Sequence, residues 1–382
     1  MRKIPIKLLK QGMKLYHPIY NDNGKILLHS GVSLTECYIK RLKLKDVPFV
    51  YIEDNIAPDL KIKDIINDET RKKAVDTARN TILEVSQGNV PVSRIYALKH
   101  ELNNVVEDII KELIDNPNLI LNLADIRTAD GYTFSHSVNV AVLSLMTGLS
   151  LGLPRHELQN LGLGAFLHDI GKTRIPIDIL NKKGTLSEAE FKEIEKHPYH
   201  GYNIVSSQHC FPIVSTLVIK QHHERANGKG YPGKLKGEEI HPHARIVAVA
   251  DVFDALISDR PYRKGFLPHQ ALQIVESSSE GFDLNTLQCF YKHVAAYPAG
   301  TLVGLSNGYI GIVINNNEGA PYHPAVKILC TKTFEYAIPY EIDLTYALHV
   351  VIDEVYEKDN IYPKIEELFT VHDKERELLM EL

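Results

Sequence analysis

The sequence has few cysteines and no two of them close together. The four, Cys37, Cys210, Cys289 and Cys330, lie far apart and form no CxxC motif. This spacing disfavours a disulfide framework and is typical of reduced cysteines in a cytosolic protein. We therefore expect a cytoplasmic protein whose fold depends on a hydrophobic core.

The chain also lacks an excess of positive charge. It has 43 Lys and Arg residues against 48 Asp and Glu residues, which gives a net charge of −5 with histidine neutral. General binding to nucleic acid requires a positive surface that displaces counterions, so this class of function is disfavoured. A small anionic ligand remains compatible with the sequence, because local basic clusters can act within an acidic chain.

No apolar run is long enough to predict a membrane-spanning helix. The strongest candidate, Val138 to Leu153, contains Asn139 and several hydroxyl residues. It falls short of the ~20 apolar residues that a bilayer requires. The start of the sequence scatters lysines where a secretory signal would be apolar, so no such signal is expected. We predict no membrane partner and interpret Val138 to Leu153 as a buried core helix.

The 382 residues, 44% of them hydrophobic, are enough for a sizeable core and for two or three domains. Apolar spacing and turn residues predict a mainly α chain with small β-rich segments at both ends. The predicted units are a β-rich N-terminal unit (1–60), a helical connector or regulatory segment (61–123), an all-helical domain (124–295), and a β-rich C-terminal segment with a terminal helix (296–382).

Within the helical region, histidines and aspartates stand where helical spacing predicts apolar residues. Leu158, Leu161 and Ala165 mark one face of a helix, and His168 and Asp169 are the next members of that face. A histidine and a carboxylate therefore end a core-facing stripe together.

The next apolar helix shows the same feature. Its face through Leu217 and Val218 continues into His222, and His223 is adjacent. Asp251 lies in a run that is apolar on nearly all sides. A charged carboxylate is unfavourable there unless it is paired or binds a metal ion.

Two further histidines accompany these helices. Ser187 and Glu190 form a capping-box pattern that begins a helix, and Pro198 places His197 near the end of that helix. His136 opens the apolar helix that follows it. Both imidazoles can therefore reach the region of the other polar side chains.

Together these positions supply five imidazoles and two carboxylates. One histidine on an apolar face is more often a hydrogen-bonded core residue, but seven such groups in one region favour metal binding. They suit two divalent ions about 3.5–4 Å apart, bridged by a carboxylate and a hydroxide. Nitrogen-rich ligation suits iron, manganese, nickel or zinc better than magnesium or calcium. The predicted ligands are His136, His168, Asp169, His197, His222, His223 and Asp251.

Several nearby residues suit phosphate binding. Lys172 can neutralise a phosphate oxygen or protonate a leaving alkoxide, although a plain surface lysine is an equal alternative. Arg260 and Arg263 suit bidentate contacts with phosphate or a guanine edge, although such loop clusters are more often solvated. The loop around Tyr231 can form a pocket wall or a simple turn.

These residues, in this order, resemble the HD-GYP family, a branch of the HD phosphohydrolase superfamily. The resemblance covers about residues 125–290 and includes HDIGK at 168–172, HHER at 222–225, GYP at 230–232 and RPYR at 260–263. It implies an all-helical HD-type catalytic domain with a di-iron or similar site. It also implies a bacterial signalling enzyme that hydrolyses cyclic di-GMP to pGpG, and in some members further to GMP.

The resemblance implies metal binding by the same seven residues. Lys172 and Asp169 are the expected catalytic residues, and Arg260, Arg263, Lys172 and Tyr231 are expected to contact the substrate. Tyr132 stands where some members have a glutamate for a third metal, which favours a two-metal site.

Two other functions remain open. The chain could be an HD-type hydrolase of another cyclic dinucleotide, or a catalytically weak receptor that binds cyclic di-GMP and signals through its flanking segments. The complete set of metal ligands disfavours the receptor. A homodimer or signalling protein partners are further expectations.

Overall fold

The structure is a computed structural model that describes residues 2–16, 18–20, 26–44, 47, 49–53, 60, 65–88, 90–116, 132–182, 184–258, 264–356 and 361–380. Its α-helices are α1 (Glu36–Leu44), α2 (Asp68–Gln87), α3 (Val92–Asp115), α4 (Tyr132–Ser150), α5 (Arg155–Leu167), α6 (Ile177–Leu180), α7 (Glu188–Ile194), α8 (His197–Ser206), α9 (Ile213–Gln221), α10 (Pro242–Ile257), α11 (Pro268–Ser277), α12 (Leu284–Tyr291) and α13 (Ile361–Met380). Its strands are β1 (Arg2–Pro5), β2 (Ile19–Tyr20), β3 (Ile26–Leu28), β4 (Phe49–Ile52), β5 (Leu302–Leu305), β6 (Tyr309–Asn315), β7 (Ala325–Thr331), β8 (Glu341–Asp343) and β9 (Ile352–Val355).

Helices α2 and α3 pack against each other and against the helices that follow. The Asn67 side chain accepts a hydrogen bond from the backbone N–H of Thr70 and caps α2, which ends at Gly88 with φ 80°. In α3 the buried residues recur at helical spacing from Ile95 to Leu113, as the sequence predicts. This pair therefore extends the core of the helical domain.

Helix α10 forms the centre of the helical domain and packs against α4, α9, α11 and α12. Most of its residues from His243 to Ile257 are buried. Helix α5 packs against α4 and α9. Its Gly164 permits this approach, because a Cβ atom there would lie 2.7 Å from Val218 Cβ. The ends of α5 and α9 are thereby brought beside α10.

The C-terminal region forms a five-stranded sheet with the order β8-β7-β6-β5-β9, and each neighbouring pair is antiparallel. Successive residues point to opposite faces of a strand. Val303 and Ile328 accordingly pack into the core of the helical domain. Leu302 and Leu329 pack into a second core that they share with the N-terminal unit.

The N-terminal unit pairs β1 with β4 and β2 with β3, and α1 packs against the short 3-10 helix Ile6–Leu8 that follows β1. Its buried residues Ile4, Leu15 and Val50 belong to the second core with the C-terminal sheet. Lys10 also donates a hydrogen bond of 3.0 Å to Glu366 of α13. The two β-rich ends of the chain therefore pack on each other.

The predicted mainly α fold with β-rich ends is confirmed. Ser187 caps α7 in the predicted capping box. His197 differs from its prediction, because α7 ends at Ile194 and His197 begins α8, where Pro198 suits the first turn. Among the described residues, no helix combines the length and apolar character needed to cross a bilayer.

Candidate metal centre

The side chains of five histidines and two aspartates meet at one place in the helical domain. Helix α4 supplies His136, the turn after α5 supplies His168 and Asp169, and the start of α8 supplies His197. The end of α9 and the middle of α10 supply the others. All seven predicted ligands are brought together, in one group of His136, His168 and Asp251 and a second group of Asp169, His197, His222 and His223.

This convergence is deeply buried. His168, His197 and His222 are fully inaccessible to solvent. Only His223 among the seven is partly exposed. Buried imidazoles and carboxylates require hydrogen bonds or a cation to replace their lost hydration. The arrangement is therefore difficult to explain as ordinary core packing.

Two glycines allow α8 to approach the turn that carries Asp169. A Cβ atom on Gly171 would lie 1.9 Å from the carbonyl oxygen of His197. A Cβ atom on Gly201 would lie 3.2 Å from the backbone nitrogen of Gly171. Because no larger residue fits, the HDIGK segment and the first turn of α8 are in direct backbone contact.

Backbone carbonyls orient three of the imidazole rings. The Nδ1 atoms of His168, His197 and His222 lie 2.7, 2.7 and 2.8 Å from carbonyl oxygens three residues earlier in the chain. A carbonyl oxygen only accepts, so each Nδ1 donates its proton there. The lone pair of Nε2 then faces the centre, which is the form that binds metal ions.

The Nε2 atoms lie unusually close together. His168 Nε2 is 3.2 Å from His136 Nε2, and His197 Nε2 is 3.3 Å from His222 Nε2. With Nδ1 bonded to a carbonyl, the neutral forms of His197 and His222 would direct two Nε2 lone pairs at each other, and two lone pairs repel. A cation that accepts both lone pairs would remove this repulsion.

Asp169 connects the two groups. Its Oδ2 atom lies 3.4 Å from His168 Nε2 and 3.6 Å from His136 Nε2. Its Oδ1 atom lies 3.3 Å from His197 Nε2 and 3.9 Å from His222 Nε2. Among the residues that the structure describes, no group forms a hydrogen bond with the buried Oδ1. One carboxylate thus presents an oxygen to each group, and a cation would satisfy the unpaired oxygen.

Asp254 is a residue of this site that the sequence analysis did not single out. Its Oδ2 lies 2.6 Å from His136 Nδ1, and its Oδ1 accepts a hydrogen bond of 3.0 Å from Asn139. It is fully buried. Asp254 therefore orients His136, as carboxylates behind metal-binding histidines commonly do. Its position in the apolar run of α10, three residues after Asp251, was the available signal.

Burial opposes ionisation of both central aspartates, but nearby positive groups dominate. The Lys172 ammonium, 2.5 Å from Asp169 Oδ2, is the largest favourable cause and holds the pKa of Asp169 well below its usual value. His136, whose Nε2 lies 3.2 Å from Asp251 Oδ1, likewise lowers the pKa of Asp251 against the effect of burial. Both carboxylates are therefore ionised and available to a cation at neutral pH.

The histidines divide by their protonation. Burial and then the neighbouring imidazoles lower the pKa values of His222 and His223 well below the usual value, so both rings are neutral. Burial also lowers the pKa of His136, but hydrogen bonds to Asp251 and Asp254 outweigh it and raise the pKa to about 9. His136 must therefore lose a proton before its Nε2 can bind a metal ion.

The GYP segment lies along the edge of the site. The Tyr231 ring is 4.7 Å from the His223 ring, and its backbone N–H donates to the carbonyl of His223 at 3.2 Å. The buried Glu224 carboxylate accepts hydrogen bonds from the N–H groups of Gly233 (2.5 Å) and Leu235 (3.0 Å) and holds this loop in place. The Tyr231 ring therefore lies beside the proposed ligand His223, and its contact with a substrate stays a prediction.

Two of the predicted substrate-binding residues, Arg260 and Arg263, lie outside the described residues. Lys172 lies inside them, and its side chain is about one-third exposed. Its ammonium group is therefore at the boundary between the buried carboxylate and solvent. A phosphate that approaches Asp169 would meet it.

Comparison with known proteins relates this geometry to a family. Residues 105–285 match the family described as "HD domain", and residues 302–363 match a "KOW domain associated with HD domain". The cyclic di-GMP phosphodiesterase PA4108 of Pseudomonas aeruginosa is 35% identical over 240 residues, which are 63% of this chain and 58% of that protein. The cyclic di-GMP phosphodiesterase response regulator RpfG of Xanthomonas campestris is 43% identical over 144 residues, 37% of this chain and 38% of that protein.

The chain thus spans 58% of the first of these curated relatives and 38% of the second. Among solved structures, Bd1817, a HDG"Y"P protein from Bdellovibrio bacteriovorus, covers 75% of this chain and 97% of its own. Its TM-score is 0.51 at 23% identity, which supports the fold alone. With the HD motif, the GYP loop and these matches together, the helical region of this chain is an HD domain of the HD-GYP family.

Proposed function

We propose that the chain is a metal-dependent phosphodiesterase that hydrolyses cyclic di-GMP to pGpG, with GMP as a further product. The observation that carries this proposal is the position of Asp169, which directs one carboxylate oxygen to each of two imidazole groups. The printed names of PA4108 and RpfG, both cyclic di-GMP phosphodiesterases, support the choice of substrate.

The two groups of side chains would each hold one cation. His136, His168 and Asp251, with Asp169 Oδ2, would bind the first. His197, His222 and His223, with Asp169 Oδ1, would bind the second. We favour iron as the metal, with manganese, nickel or zinc as alternatives, because imidazole-rich sites with few carboxylates accept all four.

Two bound cations would lower the pKa of a water molecule and stabilise negative charge on phosphoryl oxygens. The chain's own residues would prepare the phosphate for this chemistry. Lys172 Nζ would hold a phosphoryl oxygen or protonate the leaving 3′-oxygen, since it already lies 2.5 Å from Asp169.

Tyr231 and two arginines would position the nucleotide. Burial, and then the nearby carboxylates, raise the pKa of Tyr231, so its hydroxyl remains a neutral hydrogen-bond donor. Arg260 and Arg263 are proposed to contact the phosphate or a guanine edge, as the family resemblance implies.

The experiment that tests this proposal is replacement of His168 and Asp169 together by alanine. Because both groups use Asp169, the double variant should lose bound metal and all hydrolysis of cyclic di-GMP. The exposed His156, replaced by alanine, is the control and should retain both. Turnover that persists in the metal-free double variant would exclude the proposed site.

The alternatives differ in their substrates and products. A hydrolase of another cyclic dinucleotide would turn over that compound faster than cyclic di-GMP in a nucleotide panel. A weak receptor would bind cyclic di-GMP with its metals present and form no product. The seven assembled side chains favour an enzyme over a receptor.

The remaining expectations are also proposals. We propose domain boundaries after residues 60, 123 and 295. The four cysteines are unpaired, two of them buried, which supports a cytoplasmic location. A homodimer or a signalling protein is the proposed kind of protein partner.

A further inference from the structure

An aromatic surface lies beside the metal centre, and metal binding does not explain it. Phe191 of α7 is 47% exposed, although burial of a phenylalanine ring normally stabilises a fold. Its ring centroid lies 6.4 Å from that of Tyr231, at an angle of 79° between the rings. The rings of Phe191 and Tyr231 therefore form a continuous aromatic edge, which extends from solvent towards His223.

Tyr231 fixes this edge relative to the metal centre. Its ring lies 4.7 Å from the ring of His223, at an angle of 32°, and 6.4 Å from the ring of His197. The loop that carries it is held by the buried Glu224, as described above. A ligand group that contacts Phe191 and Tyr231 would thus be separated from the proposed metal ligands by the Tyr231 ring alone.

Glu195 lies on the same side of α7 as Phe191. Residues four apart on a helix are neighbours, with about 5–6 Å between their Cβ atoms, and the N–H of Glu195 donates to the carbonyl of Phe191 at 2.9 Å. Phe191 is also the residue whose ring contacts Tyr231. The Glu195 side chain therefore lies one helical turn along from the solvent-facing end of the aromatic edge.

Glu195, the residue after α7, differs from Glu190 and Glu193 within that helix. Glu190 forms an ion pair with Lys182, and Glu193 forms one with Lys196. Within the described part of the chain, the half-buried Glu195 side chain has neither an ion pair nor a hydrogen bond. An unpaired carboxylate would repel a phosphate, so its presence beside a phosphate site suggests that it accepts hydrogen bonds from another part of the substrate.

A guanine base has the matching groups. Its Watson–Crick edge offers the N1–H and N2–H donors side by side, and one carboxylate can accept both. Adenine has an acceptor at N1 and would place a lone pair against the carboxylate. In a nucleotide the base is one sugar away from its phosphate, which is compatible with a phosphate at the metals and a base at this aromatic edge.

We propose that Phe191, Tyr231 and Glu195 form a guanine subsite, in which the two rings contact the base and the carboxylate accepts hydrogen bonds from its N1–H and N2–H groups. This inference rests on the proposed function, because it assumes a cyclic dinucleotide at the metal centre. It adds the selection of guanine over adenine, which the metal ligands cannot provide.

The test compares hydrolysis of cyclic di-GMP and cyclic di-AMP by the full-length, metal-loaded protein. Replacement Glu195→Gln keeps the size but removes one acceptor and the charge. It should lower kcat/KM for cyclic di-GMP about 10- to 100-fold, the range expected for hydrogen bonds to a charged group, and leave cyclic di-AMP nearly unaffected. The ratio between the two substrates is the readout, because a general loss of structure would not change it.

Replacement Phe191→Ala tests the stacking contact. It should raise KM for both dinucleotides about fivefold or more, as loss of an aromatic contact to a base does, with kcat little changed. Tyr199→Ala is the matched control, since Tyr199 is 52% exposed on the neighbouring helix α8 and contacts neither ring of the subsite. Metal content, measured for every variant, should equal that of the unmodified protein.

An unchanged guanine-to-adenine ratio in Glu195→Gln, or an unchanged KM in Phe191→Ala, would overturn the subsite. If the metal-loaded protein hydrolyses neither dinucleotide, the proposed function fails instead. The subsite is then tested by calorimetric titration with GMP and AMP. Preference for GMP that disappears in Glu195→Gln supports it, and equal affinities refute it.

Discussion

At the scale of single residues, Asp254 and His136 form a unit behind the metal centre. Asp254 accepts hydrogen bonds from Asn139 and Ser258 and lies 2.6 Å from His136 Nδ1. The carboxylate therefore sets the orientation of a ring whose other nitrogen faces Asp251 at 3.2 Å. A residue that never touches a cation can in this way determine how well a cation is bound.

Replacement Asp254→Asn should lower the affinity for metal about 10- to 100-fold, the usual effect of losing a carboxylate behind a histidine ligand. Titration of the metal-free protein with manganese or iron measures it. The exposed Asp178, replaced by asparagine, is the control and should bind metal normally. Equal affinities of the two variants would show that Asp254 does not orient His136.

The raised pKa of His136 predicts a pH dependence of metal uptake. Below its pKa of about 9 this histidine carries a proton that a cation must displace. Between pH 6 and 8 the affinity should therefore rise with pH, by about tenfold per unit if one proton is released. Metal affinity measured across this range, with proton release by calorimetry in two buffers, tests the sign. Affinity that is constant or falls with pH would contradict it.

At the scale of elements, the metal centre depends on how closely helices approach one another. The turn that carries Asp169 and the first turn of α8 are in backbone contact at Gly171. This contact sets the separation between Asp169 and His197, which is 3.3 Å between Oδ1 and Nε2. An added methyl group must push α8 away from the turn.

Replacement Gly171→Ala should lower the free energy of unfolding by about 1–3 kcal/mol or more, the usual cost of overpacking, and weaken binding of the second cation. Thermal unfolding and metal stoichiometry measure the two effects. Gly281 is the matched control, because a Cβ there would lie 3.5 Å from its nearest neighbour, an ordinary contact. If Gly171→Ala is as stable as Gly281→Ala, the close approach is not required.

The sequence predicted most of this site because its residues interrupt regular patterns. His168 and His222 continue apolar stripes, and Asp251 lies in an apolar run, so each stands out without knowledge of the fold. Asp254 lies in the same run but carries no second local signal. Its role depends on contact with His136, 118 residues earlier in the chain. The family resemblance also predicted the order in which the motifs follow one another. Helical spacing alone predicts no such order.

Short strands and contacts between distant segments were harder to predict. Strands β5, β6 and β7 follow from their turns and apolar runs, whereas β8 and β9 each contain two acidic residues and form no apolar run. Helix α7 ends at Ile194 and α8 begins at His197, whereas the sequence predicted His197 near the end of one helix. The packing of the N-terminal unit on the C-terminal sheet joins residues at opposite ends of the chain, and no local pattern indicates it.

At the scale of the whole molecule, the C-terminal sheet lies between the N-terminal unit and the helical domain. One face contributes Ile328 to the core of the helical domain, and the other contributes Leu329 to the core shared with the N-terminal unit. Among the described residues, buried apolar side chains of the N-terminal unit therefore pack against this sheet.

This arrangement predicts that two adjacent residues control different contacts. Replacement of Leu329 or Ile328 by alanine should each cost about 2–5 kcal/mol, because both are fully buried. Hydrogen exchange should then increase in the N-terminal unit for Leu329→Ala and in the helical domain for Ile328→Ala. The same pattern of exchange in both variants would show that the sheet does not separate two cores.

The central claim is that Asp169 joins two cation sites. A crystal structure of metal-loaded protein, with anomalous scattering recorded at the absorption edge of the bound metal, tests it most directly. We predict two peaks about 3.5–4 Å apart, one on each oxygen of Asp169, as in two-metal hydrolases. A single peak, or peaks that Asp169 does not contact, would contradict the account.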